Sequence, residues 1–132
     1  MSKNLVDSCG WLEYFAEGNN ADFFAGAIED AEHLIVPSLC IAEVFKVLLR
    51  EKDEDTALSA VSAMNQGTVI DLDVKIAIGA AKLGISHKLP LADSIIYATA
   101  KFNSALLWTQ DKHFDNIPEV KYTPKSDSSH LS

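Results

Sequence analysis

Short apolar runs alternate along the chain with longer segments of helical periodicity, and this alternation restricts the possible folds more than any other feature. The predicted strands cover residues 3–7, 34–36, 68–72 and 105–109, with a weaker fifth at 120–122. The predicted helices cover 10–16, 21–31, 39–51, 55–66, 73–83 and 91–102. Strands joined through helices require crossover connections, which produce a mainly parallel sheet covered on both faces. We therefore expect an α/β fold, a three-layer α/β/α sandwich with a mainly parallel four- or five-stranded sheet.

The length and composition predict one domain. A chain of 132 residues with 48% hydrophobic residues is large enough to bury a core of its own. We expect residues 1–122 to form this domain and the polar segment 123–132 to form a loose tail. No apolar run approaches the ~20 residues needed to cross a bilayer, and the first residues lack the pattern of a secretory signal. We therefore expect a cytoplasmic protein without a membrane span.

The two cysteines, Cys9 and Cys40, lie far apart in sequence among apolar residues. They form neither a Cys-x-x-Cys redox motif nor a zinc-binding cluster. Buried free thiols are therefore the expected state of both.

The formal net charge of −8 argues against a broad basic surface that binds nucleic acid through many phosphate contacts. This objection weakens if several acids cluster around divalent cations, because an occupied site presents positive charge to a phosphate. The location of the acids therefore decides what the acidity means. The same charge is also compatible with a surface that meets a basic partner.

Two acids follow predicted strands directly. Asp7 closes the first strand, and Asp111 follows the strand that ends at Thr109. Parallel strands end at a common edge, where ligands bind in open α/β sheets. Asp7 and Asp111 are thus expected at one edge, although either could be an ordinary turn or cap residue.

Two further acids, Glu43 and Asp93, lie near the starts of helices that follow Pro37 and Pro90. Helices that leave the carboxyl ends of parallel strands begin at that same edge. The helix dipole favours acids in a first turn by ~0.3–1 kcal/mol, which offers a purely structural explanation for each acid taken singly. The coincidence of four acids at one edge favours a functional site.

Four converging carboxylates predict a bound cation. Two like charges ~5 Å apart repel by roughly 3 kcal/mol at an effective dielectric constant of 20, so such a cluster needs cations or raised pKa values. Oxygen ligands favour Mg²⁺, with Mn²⁺ as a substitute. Such ions orient a water and polarise a phosphoryl group, which is the chemistry of phosphodiester hydrolysis.

Four motifs in order resemble those of the PIN-domain family. They are Leu5-Val6-Asp7-Ser8, the segment from Pro37-Ser38 to Ile41-Ala42-Glu43-Val44, Leu91-Ala92-Asp93-Ser94-Ile95-Ile96-Tyr97, and Leu107-Trp108-Thr109-Gln110-Asp111-Lys112-His113-Phe114. Their order, their spacing and the chain length all match. The similarity covers roughly residues 3 to 122 and is closest to VapC-type ribonuclease toxins of toxin–antitoxin systems.

This resemblance implies a metal-dependent endoribonuclease. Asp7, Glu43, Asp93 and Asp111 would bind Mg²⁺ or Mn²⁺ and carry catalysis, and Ser8 and Thr109 would support the site by hydrogen bonds. RNA would be cut to leave a 5′-phosphate and a 3′-hydroxyl. The resemblance also implies a homodimer that is silenced by a small antitoxin protein.

Three alternatives remain open. The chain could be a solitary PIN-domain RNA-processing nuclease, or a catalytically inert PIN-like binding module that has kept its acids. A receiver-like signalling domain also has an acidic magnesium pocket, but it requires paired acids after the first strand, where only Asp7 stands. His113, beside Asp111, is expected to be an exposed loop residue.

Overall fold

The computed structural model describes residues 2–126 and contains five strands and six α-helices. The strands are β1 (Lys3–Val6), β2 (Leu34–Pro37), β3 (Thr68–Ile70), β4 (Ala105–Thr109) and β5 (Val120–Tyr122). The helices are α1 (Ser8–Phe15), α2 (Ala21–Glu29), α3 (Ser38–Glu51), α4 (Glu54–Met64), α5 (Val74–His87) and α6 (Leu91–Phe102). Two 3₁₀ turns cover Ala31–His33 and Lys112–Phe114.

The five strands form one sheet in the order β3-β2-β1-β4-β5, and every adjacent pair is parallel. Strands β1, β2 and β3 are added one after another toward one edge of the sheet. The connection from β3 through α5 and α6 then returns past β2 and β1, so that β4 pairs on the other side of β1. Parallel crossovers are almost always right-handed, so the reversal places α5 and α6 on the face opposite α1 to α4. The predicted three-layer α/β/α sandwich is confirmed, with five strands.

The core lies around the two central strands. Leu5, Val6 and Leu107 are fully buried between the helical layers, together with Trp11 and Tyr97 from α1 and α6. The apolar segments of these strands, Leu5-Val6 in β1 and residues 105–108 in β4, are uninterrupted because both faces of the sheet are covered there. No helix between residues 2 and 126 is long and apolar enough to span a bilayer.

Several predicted element ends differ from the observed ones, most of them by one or two residues, and two of these differences have a clear physical reason. The third strand stops at Ile70 because the side chain of Asp73 accepts a hydrogen bond from the backbone N–H of Ile76 (2.8 Å) and thereby starts α5. Helix α5 also does not end before Gly84 but continues to His87, where Lys88 adopts a left-handed conformation with φ of 56°. A Cβ atom added at Gly84 would lie 2.5 Å from the Oγ atom of Ser94. This glycine therefore allows α5 to pack closely on α6 and does not mark a helix end.

Candidate active site

The connections that follow the neighbouring strands β1 and β4 diverge at the carboxyl ends of these strands. The connection from β1 leads to β2 on one side, whereas the connection from β4 leads to β5 on the other. Such a switch point is where open α/β sheets bind ligands. Asp7 directly follows β1, and Asp111 lies two residues beyond β4. Both acids therefore stand at the mouth of this crevice.

The carboxylate of Asp7 is buried and held at both of its oxygens. The backbone N–H of Ser8 donates to Oδ1 (2.7 Å), and the hydroxyl of Thr109 donates to Oδ2 (2.9 Å). The Thr109 hydroxyl also accepts the backbone N–H of Asp111 (2.9 Å). Thr109 thus links the ends of β1 and β4, which follows from the pairing of Val6 with Trp108 one residue earlier.

Glu43 reaches the same edge from the second turn of α3. The hydroxyl of Ser8 donates a hydrogen bond to Oε1 of Glu43. Cys40 lies three residues earlier on the same helical face, so its thiol is directed to the same place. Potential ligand atoms of Asp7, Cys40 and Glu43 all lie within 4.8 Å of one another.

A second group forms where the first turn of α6 faces the turn after β4. The Nδ1 atom of His113 lies 2.9 Å from Oδ2 of Asp93 and 3.1 Å from Oδ1 of Asp111. The side chains of Asp93 and Asp111 are 14% and 28% exposed, and that of His113 is 52% exposed. Ligand atoms of these three residues also lie within 4.8 Å of one another.

Burial and mutual repulsion disfavour the charged forms of two of these acids. Burial, assisted by the charges of Asp93 and Asp111, raises the pKa of Asp7 to about 7, although the Thr109 hydroxyl opposes the shift. Burial and the charge of Asp111 raise the pKa of Asp93 to about 6. The charge of Asp111 raises the pKa of His113, and contact with Asp93 adds to the effect. The charges of Asp93 and Asp111 act on Asp7, so the two groups form one electrostatic unit.

The donor set fits a hard divalent cation. Four carboxylates supply the oxygen ligands that Mg²⁺ and Mn²⁺ prefer, and a cation would offset the burial and the repulsion that raise the pKa values of Asp7 and Asp93. The thiol of Cys40 is a poorer partner for such an ion, because burial and the charge of Asp7 raise its pKa well above the usual range.

The structure places all six sequence-predicted site residues at this edge, and it adds residues that sequence reasoning missed. His113 is exposed, as expected, but it contacts two of the acids. Cys9, which is partly buried, lies 3.5 Å from Oδ2 of Asp7 through its sulfur. The helical i,i+3 spacing from Glu43 could have indicated Cys40, whereas no sequence signal separates Cys9 or His113 from an ordinary packing or loop residue.

Comparisons with known proteins agree with the fold described above. The sequence profile of the PIN domain family matches residues 5–120. Among solved structures, a toxin–antitoxin complex from Klebsiella pneumoniae superposes with a TM-score of 0.76 at 24% identity, covering 89% of this chain and 95% of that chain. A second match, VapC20 from Mycobacterium tuberculosis, is described as a sarcin–ricin loop cleaving toxin. It gives a TM-score of 0.72 at 13% identity and covers 90% of this chain and 98% of that one.

A third structure, a DNA-bound VapBC from Salmonella typhimurium, has a TM-score of 0.69 at 16% identity. The match covers 94% of this chain and 98% of that chain. Comparison with curated proteins gives no significant match. The similarity to these solved structures extends over almost the whole of both chains, so it concerns the complete fold and not a fragment of it.

Proposed function

Because the chain belongs to the PIN-domain family, we propose that it is a metal-dependent endoribonuclease and the toxin of a VapC-type toxin–antitoxin pair. The observation that supports the proposal is that two groups of acids, Asp7 with Glu43 and Asp93 with Asp111, lie at the carboxyl edge of β1 and β4, and that the second group acts electrostatically on Asp7. Acids from four separate segments rarely meet at one partly buried place without a cation, because their mutual repulsion must be offset.

These four carboxylates would hold Mg²⁺, with Mn²⁺ as a substitute. When bound, the ion supplies an activated water and stabilises charge on the phosphoryl group. The oxygen of the water would form the new bond to phosphorus while the bond to the 3′ oxygen breaks and that oxygen gains a proton. The products would carry a 5′-phosphate and a 3′-hydroxyl.

The side chains around the acids would keep them in place for this reaction. Ser8 fixes two acids, because its backbone N–H binds Asp7 and its hydroxyl binds Glu43. Thr109 holds Asp7 from the opposite side. Such fixed hydrogen bonds reduce the reorganisation that the site needs when it binds charge, which is a main source of catalytic rate.

The partners follow from the same proposal. The similar structures from Klebsiella pneumoniae and Salmonella typhimurium contain toxin–antitoxin complexes, which supports a small antitoxin for this chain as well. We propose that the protein acts in the cytoplasm as a homodimer, on RNA, until the antitoxin covers the site.

A cleavage assay tests the nuclease proposal. Purified protein with Mg²⁺ or Mn²⁺ should cleave single-stranded RNA, and a chelator should abolish this. We expect Asp7→Asn and Asp93→Asn to reduce the cleavage rate by at least 100-fold, because each substitution removes a metal-binding carboxylate. Asp55→Asn, which alters an exposed acid on α4, is the matched control and should keep full activity. Undiminished cleavage by both site variants would contradict the assignment.

A further inference from the structure

The four acids Asp7, Glu43, Asp93 and Asp111 are here called the carboxylate centre. An open cleft of about 570 Å³ lies directly beside it. Its lining includes Asp111 and also Cys9, whose sulfur lies 3.5 Å from Oδ2 of Asp7, so the cleft adjoins the acids. Its outer part is formed by the end of β5 and the segment that follows it. The volume is within the ~300–1,000 Å³ range of protein ligand sites. A ligand that reaches the acids from this side would therefore lie in the cleft.

The lining combines positive charge with an aromatic ring. Lys112 and Lys125 are exposed and line the cleft. The half-buried side chain of Tyr122 lines it as well. Neither ammonium group takes part in an ion pair within residues 2–126, whereas Lys101 is paired with Glu119. Cations that lack a protein counter-charge, combined with an aromatic surface, are the features by which proteins bind single-stranded nucleic acid.

Hydrogen bonds fix the floor of this cleft in place. The backbone N–H of Thr123 donates to the carbonyl of Thr109 (3.1 Å) and thereby extends the pairing of β4 with β5. The side-chain amide of Asn20 donates both to Oε1 of Gln110 (2.8 Å) and to the carbonyl of Pro124 (3.0 Å). The segment that carries Lys125 is therefore attached to β4 and to the loop before α2.

The buried side chain of Glu13 belongs to the same hydrogen-bond network. Its carboxylate accepts the backbone N–H of Asn20 (2.9 Å) and lies 3.3 Å from Nε2 of Gln110. This acid is buried, yet it belongs to neither group of potential metal ligands in the described part of the chain. Its position is explained by the need to hold Asn20 and Gln110 at the cleft.

We propose that this cleft binds the substrate strand next to the scissile phosphate, with Lys112 and Lys125 on its phosphates and Tyr122 stacked on a base. The inference rests on the proposed ribonuclease function and adds the surface that binds the substrate. It also accounts for RNA binding by a chain of net charge −8, because the few cations needed are concentrated beside the centre.

Binding of fluorescein-labelled single-stranded RNA to the non-cleaving Asp7→Asn protein, measured by anisotropy over a range of salt concentrations, tests this proposal. Each phosphate contact contributes about 0.7 to the slope of log affinity against log salt for single strands. We expect Lys112→Ala with Lys125→Ala to lower the slope by about 1.4. The control pair, Lys3→Ala with Lys82→Ala, changes the net charge equally at sites away from the cleft and should leave the slope unchanged.

The aromatic contribution is tested in the same assay. Loss of stacking on one base weakens binding by about 5- to 150-fold, and we expect Tyr122→Ala to fall in this range with an unchanged salt slope. Tyr122→Phe keeps the ring and should retain the affinity. Tyr122→Phe is the control for this substitution, because it keeps the packing of the ring and removes only the hydroxyl.

The outcomes separate this inference from the proposed function. If the protein cleaves RNA but the cleft variants bind RNA as the control pair does, the cleft is not the RNA surface and the inference is wrong. A cleft that serves an acidic protein segment would give this result. If the unaltered protein neither binds nor cleaves RNA, the proposed function fails and the inference fails with it.

Discussion

Asp7 is a carboxylate with only 4% of its surface exposed and other acids nearby. The hydrogen bonds that it accepts from Ser8 and Thr109 orient it but do not fully offset burial, so folding raises its pKa to about 7. Burial of this carboxylate therefore lowers the stability of the fold when Asp7 is charged. The metal-binding role proposed for Asp7 and the stability of the fold therefore conflict at this residue, as is common at functional sites.

This conflict predicts a pH dependence in metal-free buffer. The pKa of Asp7 is raised from 3.8 to about 7 in the folded state, so between these values the folded protein binds more protons than the unfolded chain. The stability that this group contributes is complete below pH ~4 and is lost as the pH rises through about 7. Asp7→Asn removes the buried charge and should be more stable than the unaltered protein at pH 8, by up to about 4 kcal/mol.

Urea denaturation of both proteins at pH 5 and pH 8 measures this effect. The stability advantage of Asp7→Asn should grow between the two pH values. The exposed acid in Asp55→Asn provides the control, for which the difference from the unaltered protein should stay nearly constant. An advantage of Asp7→Asn that stays constant or shrinks with rising pH would contradict the raised pKa of Asp7.

Sequence reasoning located the acids better than it located their neighbours. Asp7 and Asp111 could be placed because a strand's direction determines where its next residues emerge. The contact of His113 with Asp93 could not, since it depends on how the turn after β4 approaches the first turn of α6 across 20 residues of sequence. Side-chain contacts of this kind are set by tertiary packing and leave no local pattern.

At the level of elements, the glycines show that helical periodicity does not predict where a helix ends. Gly84 resembles a helix stop in sequence but lies inside α5, where it allows close packing on α6. Five residues with positive φ within 2–126 are instead non-glycine, Lys88 among them. Strand and helix identity could be predicted throughout, because apolar spacing reflects burial. The helix end near Gly84 could not be predicted, because a glycine can either relieve the backbone at a helix end or allow close packing inside a helix.

Two glycines in the first helical pair give a matched test of this distinction. A Cβ atom at Gly10 of α1 would lie 2.7 Å from atoms of both Phe24 and Val6, which are fully buried. At Gly26 of α2 it would meet nothing within 4 Å. We expect Gly10→Ala to lower the free energy of unfolding by about 1–3 kcal/mol through overpacking. Gly26→Ala should raise it by up to about 1 kcal/mol, because alanine favours the helix.

Thermal and urea denaturation of the two variants gives these values directly. Both changes add one methyl group to a helical glycine, so the opposite signs would reflect packing alone. Equal effects in the two variants would contradict the close approach of α1 to α2 and β1.

For the whole molecule, the distribution of charge is more informative than its sum. Four of the 19 acids lie at the centre, which leaves 15 against 11 lysines and arginines. The remaining surface is still acidic, so a protein that covers it is expected to carry basic residues. This complementarity is the physical basis for expecting a basic segment in the proposed antitoxin.

The partner proposal can be checked at this scale. A short reading frame next to the one for this chain should encode a DNA-binding protein with a tail that binds here. Co-expression should yield a stable complex in which RNA cleavage is blocked at a 1:1 ratio of the two proteins. A chain that has no such neighbour and cleaves RNA without a protein inhibitor would instead be a solitary processing nuclease.

The pairing of β1 with β4 also has a consequence during translation. It joins residues 3–6 to residues 105–108, and the candidate centre needs both Asp7 and Asp111. A nascent chain cannot form this pair until β4 has left the ribosome, however early its first helices fold. A ribonuclease with this topology therefore stays inert during translation until β4 and the residues around Asp111 have left the ribosome.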